Sequence, residues 1–314
     1  MKLVSYKTED REHLGLFIKG HIYNLNSCDK LIPDNMNEFL NGGEELMDRA
    51  KRVDSEIRSG MQQAKEEIFF ELLAPVPHPG SCREAFAFRR HFSSQIGAEV
   101  QTDRFPVYCF TNHHTIRGIG DVECMPKQLD QLDFGLQVAV VIGKMGRNIK
   151  VAEADSYIAG FMVMNGLSTR SLQVADRLLN PGNDFSTLIG PWLVTPDELE
   201  GYKIEPGAGH SGNAYNLEMK CWVNGKEITS GSVQYMKWTF AEIIQQCSYG
   251  LDILPGDIIS SGIAGAGSFL ELNEIEKQKN TDSKAQWLQA GDIVEMEITG
   301  LGRLTNTIRN SKDG

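Results

Sequence analysis

Residues 132–143, LDFGLQVAVVIG, are a mostly apolar run that can be sorted onto two sides. Leu136, Val138 and Val140 fall on one side, and Gln137, Ala139 and Val141 on the other. A period of two is that of a strand. The same reading finds short strands in LVSY, LGLFIKG and HIYNLN, separated by polar turns. The run MNEFLNGGEELMDRAKRVDSEIRSGMQQAKEEI follows, rich in Glu and Lys, and predicts helices interrupted at Gly42-Gly43. From about residue 71 the texture shifts to Gly, Pro and β-branched residues. Residues 1–70 are therefore expected to form a small N-terminal α+β domain, and residues 71–314 a larger one.

Within the larger part, FELLAPVPHPG reads as a linker or strand ending in a Pro/Gly turn. REAFAFRRHF reads as helical, and ADSYIAGFMVMNGLSTRSLQVADRL as helix, strand, helix. After residue 190 the signals turn strongly β. GPWLVTPDEL gives a strand and an acidic turn, and LEMKCWVNGKEIT a hairpin whose Asn224-Gly225 turn suits positive φ at both central positions. WTFAEIIQQCSYG reads as a helix ended by Gly250. LPGDIISSGIAGAG and LQAGDIVEMEITGLGRLTNTI each set a Gly-Asp turn before an alternating strand. No repeat or low-complexity stretch breaks the pattern. The fold class expected is mixed α/β, predominantly β.

The chain of 314 residues is long enough for a large core, and 41% hydrophobic with 23% charged residues is ordinary for a globular protein. Lys+Arg 31 against Asp+Glu 42 gives a net charge of −11, which disfavours a nucleic-acid or anionic-membrane partner. RNIK and RRH are too short to make a basic patch. No apolar run approaches the roughly 20 residues of a membrane span, and the first residues do not read as a signal peptide. Six scattered cysteines without a CxxC pair predict free, mostly buried thiols in a reducing cytoplasm. Met145 and the MVM of 162–164 read as core.

Nine segments occur in an order and spacing that resemble the fumarylacetoacetate hydrolase family. They are IYNLN, EAFAFRRH, FPVYCFTNHHTIRGIGD, LDFGLQVAVVIGKMGRNI, ADSYIAGFMVMNGLSTRSLQ, DFSTLIGPWLVT, VNGKEI, LPGDIISSGIAGAG and AGDIVEMEITGLGRLTNTI. The match spans roughly residues 80–310. The resemblance implies a mixed β-sandwich roll, a homodimer, and cleavage, decarboxylation or isomerisation of β-dicarbonyl compounds, with Mg²⁺ or a similar ion as the Lewis acid that binds the enolisable diketone.

The resemblance also assigns places. The family's metal ligands are an acid near the domain start, a Glu-x-Glu on a strand, and an Asp after an Asn. Glu84 matches the first of these. Gly135 and Gln137 stand at the Glu-x-Glu places and Gly166, after Asn165, at the Asp place. A lysine expected before DFSTLIGPW is Asn183. Three carboxylates, one lysine and one divalent ion carry charges that sum to zero, so their joint loss strands none in a partly buried pocket. No functional metal is expected, and Mg²⁺ belongs here only if these ligand positions are wrongly matched.

Other places are retained. His91 matches the family histidine that activates water, and Glu271 in GSFLEL the acid that orients it. Arg170 and Gln173 in STRSLQ match positions that bind substrate oxygens. Phe86 stands for a tyrosine and Ile263 for a threonine, so the pocket is less polar than usual.

Plainer readings accompany each residue. His91 beside Arg89 and Arg90 reads equally as a surface helical residue, and Glu271 as a solvated edge-strand acid. Arg170 reads as a helix cap or a partner of Asp176, and Glu84 as a first-turn acid favoured by the helix dipole. GIAGAG lacks the spacing and following helix of a phosphate loop, and His113-His114 reads as a structural loop. The leading expectation is a metal-independent enzyme using His91 and Glu271 on a β-dicarbonyl or acylpyruvate-like acid, by C–C hydrolysis, isomerisation or dehydration. The alternative is a catalytically silent binding or scaffolding subunit, for which Gly135 and Gly166 leave room but no chemistry. A conventional Mg²⁺-dependent hydrolase is the third.

Overall fold

The computed structural model describes residues 1–9, 11–88, 104–173 and 182–311. The N-terminal strands are β1 (Lys2–Thr8), β2 (Arg11–Ile18) and β3 (His21–Asn24). Helices α1 (Met36–Asn41) and α2 (Gly43–Ser59) follow and meet at Gly42-Gly43, as the glycine pair predicts. Gly60 then takes φ 76°, a left-handed stop that glycine reaches without strain.

The larger part supplies β4 (Cys82–Ala85), β5 (Tyr108–Thr111), β6 (Gly120–Cys124), β7 (Leu136–Ile142), β8 (Ile158–Gly166) and β9 (Thr187–Val194). It continues with β10 (Glu218–Val223), β11 (Lys226–Ser232), α3 (Phe240–Cys247), β12 (Ile258–Ser260), α4 (Phe269–Lys279), β13 (Ile293–Ile298) and β14 (Gly302–Asn310). The β10–β11 hairpin turns at Asn224 and Gly225, with φ of 54° and 75°. A capping box of Thr239 and Glu242 starts α3, which ends at Cys247, three residues before the left-handed Gly250.

The main sheet runs β3, β2, β1, β9, β8, β7, β12, β4, β5, and a five-stranded sheet runs β11, β10, β13, β14, β6. β1 joins the main sheet by pairing Leu3 with Leu193 of β9. The alternation in β7 sorts its two faces between two cores. Leu136, Val138 and Val140 pack with Met219, Met296 and Leu304 of the five-stranded sheet. Ala139 and Val141 pack with Met162, Met164 and the N-terminal Phe39, Leu40 and Ala50. All seven residues of β7 are buried, which excludes water from both faces of this central strand.

Three local expectations differ from the structure. Residues 83–85 of the segment read as helical lie in strand β4, drawn into the sheet by parallel pairing with β12. Glu271 lies not on an edge strand but in the first turn of α4, buried. Met145 is 68% exposed rather than core, whereas Met162 and Met164 are fully buried. Four of the six free cysteines are buried and two half-buried.

Candidate active site

Glu84, Ser260 and Gln137 stand on three neighbouring strands. Parallel pairing sets Ser260 of β12 beside Glu84 of β4, and antiparallel pairing sets Ser260 against Ala139 of β7, two residues from Gln137. A strand's side chains alternate, so all three point to one face. There the Ser260 hydroxyl donates to Gln137 Oε1 at 2.6 Å, and Gln137 Nε2 donates to Glu84 Oε1 at 2.8 Å. Ser260 and Gln137 are fully buried, where an unmet polar atom is costly, so the chain of hydrogen bonds fixes all three.

Two cysteines flank Glu84. Cys109 sits opposite it across the β4–β5 pair, and burial, with the Glu84 charge adding, pushes its thiol up to about 12. Burial raises the Cys82 thiol as well, again with help from Glu84. Thiols held protonated in this way are not nucleophiles at neutral pH.

The glycines at the places assigned to metal ligands differ from each other. A Cβ on Gly166 would meet only the far end of Gln137, at 2.8 Å from Nε2, with Glu84 Oε2 at 3.8 Å. A Cβ on Gly135 would lie 2.9 Å from both the Gly166 carbonyl oxygen and Ile263 Cδ1. Gly135 therefore leaves no room, contrary to the expectation from sequence. Its backbone is locked too: Gly135 N–H donates to Asn165 Oδ1 and its carbonyl accepts from Gly166 N–H. Mg²⁺-type ions need hard oxygen donors, at least one or two of them carboxylates. This cluster offers one carboxylate, already engaged by an amide, and among the described residues no group of three His, Cys, Asp or Glu side chains is placed to hold a metal. Among the described residues, those at the matched places do not fit a divalent ion.

Two residues before Gly135, the fully buried Asp133 gathers four donors. Its carboxylate accepts from the backbone N–H groups of Phe134, Phe269 and Leu270 and from Arg170 Nε at 2.9 Å. Phe269 and Leu270 open α4, so Asp133 caps that helix from outside and complements its dipole. Arg170 thus pairs with Asp133; Asp176, the partner weighed from sequence, lies outside the described residues, as does His91. Arg170 Nη1 donates to Gln173 Oε1 at 3.3 Å, and Gln173 Nε2 to Asn183 Oδ1 at 2.7 Å. Arg170 Nη2 is buried and has no hydrogen-bond partner among the described residues.

The structure thereby brings together two sets of residues picked out in the sequence. Glu84, Gln137, Gly135 and Gly166 form one, and Arg170, Gln173 and Asn183 the other; the stretch from Asp133 to Gln137 joins them. Glu271, 3% exposed, begins its helix on the same Asp133 anchor. Phe86 is half-buried just beyond β4, its N–H bonded to Val107 O. Sequence reasoning missed Asp133 and Ser260. An acid inside the apolar LDF run was a visible signal for Asp133; nothing local distinguished Ser260 from Ser261. The His113 and His114 rings lie against each other at a tilt of 39° in a one-turn 3-10 loop capped by Asn112. A cleft of about 410 Å³ exists elsewhere, between α2 and the start of β8, and contains none of these residues.

Comparison with known proteins identifies the family and the fold. The family profile described as "Fumarylacetoacetate (FAA) hydrolase C-terminal" matches residues 82–309. The human "Oxaloacetate tautomerase FAHD2A, mitochondrial" is 29% identical over 98% of this chain and 91% of its own length. A Dictyostelium discoideum fumarylacetoacetate hydrolase domain-containing protein 2 homologue is 26% identical over 98% and 97%. Among solved structures, a fumarylacetoacetate hydrolase from psychrophilic Exiguobacterium antarcticum superposes with a TM-score of 0.75 at 23% identity, covering 99% of this chain and 100% of its own. A maleylpyruvate hydrolase from Sphingobium sp. SYK-6, in complex with manganese(II) and pyruvate, gives 0.70 at 17% identity, covering 99% and 100%. With the profile spanning most of the chain and the fold shared end to end, this protein belongs to the fumarylacetoacetate hydrolase family of enzymes.

Proposed function

We propose that this chain isomerises an acylpyruvate-like or β-dicarbonyl acid by proton transfer, without a metal. The observation that carries the reading is Arg170. Its guanidinium is buried and fixed at Nε and Nη1, and its Nη2 meets no hydrogen-bond partner among the described residues. A buried unmet donor of that kind is a place for a ligand oxygen, and a carboxylate suits guanidinium best. Relatives described as oxaloacetate tautomerases match nearly the whole chain and support the reaction class.

In this scheme Arg170 holds the carboxylate of the acid, and Gln173 and Asn183 its neighbouring oxygens. His91 removes a proton from the carbon between the carbonyls, and the carbonyl oxygen is then protonated. One C–H bond is lost and one O–H bond gained. The carbonyl C=O becomes C–OH while a C=C forms to the neighbouring carbon, and the proton taken by His91 is the one returned to oxygen, so no other reactant is consumed. Glu271 accepts the far ring N–H, sets the tautomer and favours the imidazolium. Such a step needs a proton carrier and polar donors, which suits a site with one carboxylate at the ligand places. The silent-subunit reading draws support from Gly135, where packing leaves no space for chemistry.

The test is an enol-absorbance assay on oxaloacetate-like acids, acylpyruvates and β-diketones, with and without chelator. Turnover is expected to persist unchanged in chelator, and calorimetry to give Mg²⁺ or Mn²⁺ affinity no tighter than about millimolar. Gly135→Glu should lower the melting temperature rather than create a site, because its Cβ meets a backbone oxygen. A micromolar, stoichiometric ion site abolished by Glu84→Ala would sink the metal-free reading.

We further propose a homodimer. Phe110, 61% exposed on the sheet-edge strand β5, and Phe105, 49% exposed, offer apolar surface. Sedimentation should give about 70 kDa, twice 34.9 kDa; a strict monomer at micromolar concentration refutes this. A cytoplasmic location belongs to the same proposal, although the human and rat relatives are described as mitochondrial. Among the described residues no helix is long and apolar enough to cross a membrane.

A further inference from the structure

Carboxamides have two chemically opposite ends of nearly equal shape, so a buried glutamine acts as donor or acceptor according to which way its neighbours turn it. At Gln137 both neighbours select the same orientation. Ser260 Oγ accepts from Gly262 N–H at 3.4 Å, which leaves its own proton for Gln137 Oε1 at 2.6 Å. Ionised Glu84 can only accept, and it takes one hydrogen of Gln137 Nε2 at 2.8 Å. Nε2 carries a second hydrogen. The nitrogen lies against the bare Cα of Gly166, where any side chain would begin 2.8 Å away, so at residue 166 nothing covers it.

We propose that Ser260 is a positioning residue. By holding the Gln137 oxygen, it turns the amide nitrogen toward Glu84 and Gly166 and makes Gln137 a neutral hydrogen-bond donor to the carbonyl or enolate oxygen of a 2-oxo acid. This rests on the proton-transfer reading above and adds to it the group that receives the oxygen charge. A fixed dipole aimed at a developing oxyanion needs no reorganisation during the reaction. Ser260 acts only through Gln137, since its hydroxyl is wholly buried and already engaged at both ends.

The experiment reads the Gln137 side-chain amide by two-dimensional ¹H–¹⁵N NMR, assigned by its loss in Gln137→Leu, in chelator and with pyruvate as the probe. In the wild type the two amide protons should be well separated before any ligand is added. Pyruvate should then move one of them. Ser260→Ala should merge the pair toward solvent-like shifts and weaken pyruvate about tenfold, the loss of one oriented hydrogen bond. Ser260→Thr, which restores the hydroxyl, should recover both. A solvent-like Gln137 pair in the wild type overturns the inference, as does a separated pair that pyruvate leaves unmoved, or equal pyruvate affinity in wild type and Ser260→Ala. Should Ser260→Ala fail to fold, the wild-type signals and their response to pyruvate decide alone. An absence of turnover with both signatures intact would instead remove the catalytic reading and leave Gln137 a ligand donor.

Discussion

Turnover in the proposed proton transfer is expected to fall by about 10²–10⁴-fold in His91→Ala, the usual contribution of a positioned acid–base group. Glu271→Gln should also lower turnover while the fold is kept. It removes the charge that stabilises the imidazolium but preserves the shape of a side chain that is only 3% exposed. The two losses should not add, because both act on one proton transfer. The measurement is initial rate by enol absorbance, with circular dichroism confirming the fold. Should wild type and His91→Ala run equally above background on every acid tested, the catalytic assignment fails and the silent-subunit reading replaces it.

Stability should respond most to Asp133. Its carboxylate has no exposed surface, and it serves Arg170, one neighbouring N–H and the first two N–H groups of α4 at once. Asp133→Ala leaves a buried guanidinium and three backbone donors without their partner. Breaking a buried pair in this way costs about 3–5 kcal/mol, or roughly 5–10 °C in melting temperature. Asp133→Asn keeps acceptor capacity and loses only the charge, so its effect should be smaller. Thermal denaturation of the three proteins tests this; a melting temperature unchanged in Asp133→Ala would show that the anchor is not structural.

Much of the fold was legible because local pattern and tertiary demand agree. The alternation in β7, the Asn224-Gly225 turn and the Gly42-Gly43 break each carry their own signal, and the structure places each accordingly. The misreadings occur where partners distant in sequence decide. Residues 83–85 have a composition compatible with helix, yet β12, some 176 residues later, takes them into a parallel strand pair. Nothing in GSFLEL says strand or helix, but Asp133, reaching from 136 residues away, accepts the first N–H groups and starts α4 there. The site is divided likewise. The resemblance supplied Glu84, Gln137, Arg170, Gln173 and Asn183, and the structure groups them as two hydrogen-bonded sets. Asp133 and Ser260 stayed hidden because their roles exist only once three strands and a helix are assembled.

The tight fit around Gly135 bears on how this site can change over generations. A glycine facing open space can accept an acid by a single substitution, and Gly166, which meets only the far end of one side chain, approaches that case. Gly135 does not: an acid there requires Ile263 to shrink, and the Gly166 carbonyl still stands in the way. Placing acids at both positions therefore passes through a less stable intermediate, and the order of steps matters. Packing closes position 135 to such a change and leaves position 166 open to it.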